Sequence, residues 1–285
     1  MEEKVTQFKS PDNNNLYQAI KADRSGKASA EGKNNLDKQI VIPKPNRLSG
    51  GTDVYQKEGL PYWFCKIKNT RDEFMCVYMA DLEPTDLYFD AQTGEERVFE
   101  TEMEKELRNN VLKALKNKPK KGYRWLSTRE PSSDGASSLA FVDGRRPWMG
   151  LTCNRWEGLA KNYSTRNKSK CMTKTTYYLL LLRWLKDGLV TVDQLTKHSE
   201  QIGHYTNSIN PRREIEKTGN RMFGGLYGMI GNTYKLVKDS DSPSGYSVVG
   251  GHYKSVGSSS PAVRIQEVDY SDSKLNLAVA IVELS

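Results

Sequence analysis

Apolar positions along this chain fall into short β-like runs and longer stretches at helical intervals, separated by segments rich in Gly, Pro, Asn and Ser. Trp63-Phe64-Cys65-Lys66-Ile67 and Phe74-Met75-Cys76-Val77-Tyr78-Met79 flank the polar segment Asn69-Thr70-Arg71-Asp72-Glu73, which predicts a hairpin. Leu87-Tyr88-Phe89-Asp90 and Arg97-Val98-Phe99-Glu100 flank Ala91-Gln92-Thr93-Gly94-Glu95. Gly94 supplies the positive φ a short loop needs, so a second hairpin is expected. Thr101-Glu102-Met103-Glu104 has the form of a capping box. Met103, Leu107, Val111, Leu112 and Leu115 follow it at helical spacing as far as Asn117, ahead of Pro119.

A second helix is predicted from Thr173 to Asp187, with Tyr177, Leu180, Leu181, Trp184 and Leu185 on one face and Gly188 at the stop position. Thr191-Val192-Asp193-Gln194-Leu195 opens a short helix reaching Ser199, and Ser208 with Pro211 marks a third that runs to Thr218. After the glycine-rich segment 219–231, Tyr234-Lys235-Leu236-Val237 and Tyr246-Ser247-Val248-Val249 predict another hairpin, and Leu275 to Leu284 a closing strand. No G-K-[ST] follows the glycines Gly224, Gly225, Gly228 and Gly231, so they read as a closely packed or flexible turn rather than a nucleotide loop.

Residues 1–56 are dominated by Asn, Lys, Gly, Ser and Asp and hold one apolar patch, Ile40-Val41-Ile42-Pro43; they are expected to form an arm ordered only by docking. The expected organisation is this arm, a small α+β domain at 57–126, a basic connection at 127–170 and a second domain at 171–285.

Composition changes this picture through charge. Across 285 residues the formal net charge is +8 and the pI 9.1. Between Lys105 and Lys174 stand 17 Lys or Arg against 5 acidic residues, a local balance of +12 (17 minus 5), with Tyr123, Trp125, Trp148, Trp156 and Tyr163 interleaved. That mixture pairs phosphate neutralisation with stacking surfaces. Cys65, Cys76, Cys153 and Cys171 form no C-x-x-C pair, which argues against a zinc knuckle or a dense disulfide framework and fits thiols in a reducing compartment. The N-terminal residues lack an apolar leader and the longest apolar run, Tyr177 to Leu182, is too short for a membrane span; a cytoplasmic or nucleoid-associated protein, not secreted, is expected.

The order helix 173–187, short helix 191–199, helix 208–218 and hairpin 234–249 resembles a winged helix-turn-helix DNA-binding domain over residues 171–250. The resemblance implies that the third helix enters the major groove while the wing touches the adjacent backbone. Carried to this sequence, Asn210, Arg212, Arg213, Lys217 and Arg221 take the helix role, and Lys235 with Lys238 the wing. Phosphate neutralisation falls to Arg145, Arg146, Arg155, Arg166, Lys168 and Lys170. The fold expected is α+β, a small antiparallel sheet with a helix followed by a winged-helix-like module. The expected function is DNA binding, double-stranded by preference and with a homodimer as a further expected partner, as a transcriptional regulator or a replication or mobile-element initiator, with no cofactor.

Two alternatives stay open. A Mg²⁺-dependent nuclease of restriction-endonuclease type would use hard oxygen ligands at the second predicted hairpin, namely Asp86, Asp90, Glu100 and Glu102. The strict acid-x-Lys triplets lie elsewhere. Three histidines, His198, His204 and His252, fit no H-x-H or H-E-x-x-H pattern, which removes most histidine-based nuclease chemistry. The second alternative is a viral or nucleoprotein assembly component whose arm threads into neighbours.

Overall fold

Among the described residues, strand-forming aromatic and β-branched runs build two larger sheets and three two-stranded ribbons, and one deeply buried helix packs beside them. The structure, a computed structural model, describes residues 42–285 apart from 71, 91, 134, 136–137, 206–221, 255–256, 270–273 and 276–277. The fold is α+β and its sheets are mainly antiparallel.

The first sheet takes β1 (Tyr55–Gln56), β2 (Trp63–Lys66), β3 (Glu73–Tyr78), β4 (Tyr123–Ser127), β5 (Lys170–Cys171) and β10 (Val282–Leu284), in the spatial order β1-β2-β3-β4-β10-β5 with every pair antiparallel. The second comprises β6 (Tyr234–Lys238), β7 (Tyr246–Val249), β8 (Gln266–Glu267) and β9 (Ala278–Ala280), ordered β8-β7-β6-β9, with β9 parallel to β6. Only Ile281 separates β9 from β10, so one short stretch of chain passes from sheet to sheet.

Successive residues of a strand face opposite sides of the sheet. Phe74 and Cys76 therefore enter a cluster with Trp125, Phe141, Trp156 and Val282, while Met75 and Val77, equally buried, face the other way. The described residues also form five α-helices, α1 (Pro84–Tyr88), α2 (Glu102–Lys116), α3 (Cys153–Tyr163), α4 (Lys174–Lys186) and α5 (Val192–Thr196). Thr101 caps α2 in a complete capping box with Glu104, and Thr173 caps α4. Every residue of α4 from Thr176 to Leu185 is buried, Arg183 included, whose guanidinium pairs with Asp81 and Asp187. It packs on α2, and its Tyr177 and Tyr178 hydroxyls donate to the Ala262 and Val263 carbonyls.

Three expectations need correcting. Residues 84–88 form α1 rather than a hairpin arm. Glu83 and Asp86 make a capping box around Pro84, and only the isolated bridge between Phe89 and Glu96 remains of the expected ladder. The boundary expected at 127–170 does not divide the fold: residues 41–285 form one compact unit, because β5 and β10 complete the sheet begun by β1 to β4. Finally, residues 42–56 of the expected arm lie on this unit, with Ile42 and Leu48 buried and the Trp63 indole N–H donating to the Ile42 carbonyl. Residues 1–41 of the arm lie outside the described residues.

The glycine-rich turn is closely packed. Gly224 and Gly225 have positive φ and lie against Trp184 and Met75, where any side chain would collide. All four cysteines are buried thiols outside any disulfide, and burial pushes Cys171 up to about 12. Among the described residues, no helix is long and apolar enough to cross a membrane.

Candidate functional site

Folding redistributes the charge that the sequence concentrates between 105 and 174. Six of those cations meet carboxylates from outside that window, Lys105 among them at 2.8 Å from Glu102. Lys113 lies 2.5 Å from Asp241, Arg124 2.8 Å and Lys170 3.3 Å from Glu283, Lys174 3.2 Å from Asp239, and Arg129 3.6 Å from Glu73.

Most of these pairs line a cleft of about 460 Å³ between the C-terminal half of α2, the start of α4 and the 238–245 turn. Its anions are already engaged. Glu283 is buried and accepts from Arg124 Nε at 2.8 Å and from the Thr173 backbone N–H at 3.2 Å, so this internal carboxylate occupies the entry of α4. Asp241 is held below the usual carboxylate range by its bond to Lys113, with Lys174 adding to the effect. The cleft is a closed ion-pair network.

A second depression has a different character. It is open, about 580 Å³, and is lined by Ser132, Ser133, Arg145, Arg146, Trp148 and Met149. The segment that carries the arginines is fixed at both ends. Gly144 and Gly150 take positive φ, Asp143 pairs with Arg129 at 2.5 Å, and the Trp148 N–H donates to the Pro131 carbonyl at 2.8 Å. Arg145 donates from Nη1 to the Ser133 carbonyl at 2.8 Å, and both arginines are exposed. Trp148 is half-buried and braced edge-to-face against the fully buried Trp156 of α3, with ring centroids 6.2 Å apart at 68°. Arg155, the exposed neighbour of Trp156, sits in the first turn of α3, where its backbone N–H is capped by Thr152.

The expected contact residues thus divide. Arg145 and Arg146 line the depression with Trp148, and Arg155 is the exposed sequence neighbour of Trp156. Arg166 and Lys168 are exposed in the turn after α3, about 16 Å away along an 11-residue helix, and Lys170 belongs to the cleft. Asn210, Arg212, Arg213, Lys217 and Arg221 lie outside the described residues. Lys235 requires a correction: a wing residue must reach solvent, and this side chain is fully buried. Its ammonium stands 3.0 Å from Glu130 and donates to the Gly231 carbonyl at 3.1 Å. Burial lowers its pKa and Glu130 opposes the shift. Lys238, the other wing residue, pairs with Glu157 at 2.6 Å.

The four carboxylates of the metal alternative do not converge. Asp86 caps α1 and pairs with Lys186 at 3.2 Å. Asp90 accepts from the Thr93 and Gln92 backbone N–H groups and pairs with Arg97 at 3.1 Å, contacts that keep it charged. Glu100 is exposed, and Glu102 pairs with Lys105 at 2.8 Å along the exposed face of α2. Among the described residues, no group of three His, Cys, Asp or Glu is arranged to hold a metal ion.

Reading by sequence alone missed the depression as a unit, although Arg145-Arg146-Pro147-Trp148 between two glycines carried the signal. It could not find the Glu130–Lys235 pair, whose members are distant in sequence and are not marked by any local pattern.

No protein-family model and no curated protein matches this chain. Among solved structures, Treponema denticola variable protein 1 aligns over 74% of this chain and 84% of its own at 11% identity, with a TM-score of 0.27, a likeness on which nothing further rests.

Proposed function

We propose that this chain is a DNA-binding protein that engages the phosphate backbone at the Arg145–Arg146–Trp148 depression, with Arg155 adding charge beside it. One observation carries the reading: two exposed guanidinium groups border a half-buried indole in an open, shallow surface. Guanidinium is suited to bidentate phosphate contact, and an open depression suits a polymer better than a small molecule. Asn210, Arg212, Arg213, Lys217 and Arg221 join the proposal through sequence alone, as does the regulator or initiator role and a cytoplasmic location.

The test is the salt dependence of DNA affinity. Each phosphate contact contributes a log–log slope of about −0.9, so wild type should give a slope of several units, and Arg145→Ala/Arg146→Ala should reduce it by about 2 while weakening binding. A wild-type slope near zero would overturn the proposal.

A further inference from the structure

We infer that the depression takes an unstacked base, so that its preferred ligand is single-stranded rather than duplex DNA. The inference rests on the nucleic-acid reading above and deepens it.

The argument turns on what the indole can reach. In a duplex the base faces are stacked inside and only edges, sugars and phosphates are presented. Charge alone would serve such a ligand, and the exposed Arg166 and Lys168 of the turn after α3 offer charge. The depression differs in placing Trp148 among its lining residues, together with Ser132, Ser133, Arg145 and Arg146. The ring is also held rigid. Its backbone N–H is tied to Pro131, and its edge contact is with Trp156, which is wholly buried beside Leu159 and Ala160 in the main core. A rigid, partly exposed indole beside two guanidinium groups is the composition of a stacking platform with phosphate clamps, as single-strand binders use.

The cleft beside α4 is a poorer candidate for a strand. Asp239, Asp241 and Glu283 line it and already engage its cations, so an incoming phosphate would have to displace an internal carboxylate.

The test compares a fluorescent oligo(dT) with a duplex of equal length at one salt concentration, for wild type, Trp148→Ala and Trp148→Phe. Stacking of one base predicts that Trp148→Ala weakens oligo(dT) binding by about 5- to 150-fold and leaves the duplex within about twofold, with most affinity restored in Trp148→Phe. Oligo(dT) should also quench wild-type tryptophan fluorescence. Near-ultraviolet circular dichroism, which reports the packing of the buried aromatic side chains, verifies that Trp148→Phe is folded, and that variant keeps the comparison valid if Trp148→Ala is not. Equal affinity for both ligands, with Trp148 variants affecting neither, would overturn the single-strand inference while leaving DNA binding intact. Absence of salt-dependent binding to either ligand would overturn both.

Discussion

Glu130 and Lys235 face each other where neither side chain reaches water. The carboxylate also accepts from Asn232 Nδ2 and Thr233 Oγ1, both at 2.5 Å, so the site is fully hydrogen-bonded. Removing one member of a buried pair leaves the other charge uncompensated, at a cost of about 3–5 kcal/mol, whereas replacing both with apolar residues of similar volume is often neutral. Chemical denaturation should therefore find Glu130→Ala destabilised by that amount and Glu130→Leu/Lys235→Met much closer to wild type. Equal destabilisation of the two would refute this account. The pair also explains a limit of reading from sequence. Tyr234-Lys235-Leu236-Val237-Lys238 looks like a strand with one wet face, but β6 is flanked by β7 and β9 and covered on both sides, so lysine there has to find an internal partner.

Elements were legible wherever a capping residue and a periodic apolar face agreed. α2 and α4 both begin at the threonine that the sequence marks, and α2 ends at the Asn117 cap. Thr101→Ala should cost about 1 kcal/mol by urea unfolding, since its hydroxyl accepts the Glu104 N–H. Glu104 adds a pH signature. Burial raises its pKa, but bonds from Lys197 and from the Thr101 and Glu100 N–H groups outweigh that and bring it down to about 2, from an ordinary 4.5. A depressed carboxylate stabilises fully above its unfolded pKa and less as pH falls through its folded one. Wild-type stability should therefore decline between pH 4.5 and 2, and Glu104→Gln should flatten that part of the curve; parallel curves would contradict the assignment. At 84–88 the aromatic run Leu87-Tyr88-Phe89 suggested a strand. Pro84 and the Glu83/Asp86 capping box decided for a helix, and both were visible in the sequence. The third predicted helix, 208–218, lies outside the described residues.

For the whole molecule, composition overstated two things: the separateness of the halves and the strength of the basic window. Both errors share a cause, since partners distant along the chain supply both the strands that join the halves and the carboxylates that meet the lysines. One calorimetric transition for residues 41–285 is the expected result, because β5 and β10 bond into the sheet of β1 to β4; separate transitions for 57–126 and 171–285 would break this account. The position of β10 between β4 and β5 has a further effect on biosynthesis. While the ribosome is still translating, β4 is matched on one side by β3, and its other edge stays open until residues 282–284 have emerged. An open edge is a template for pairing with another chain. Another copy can therefore compete for that edge for as long as the stretch between β4 and β10 takes to be synthesised.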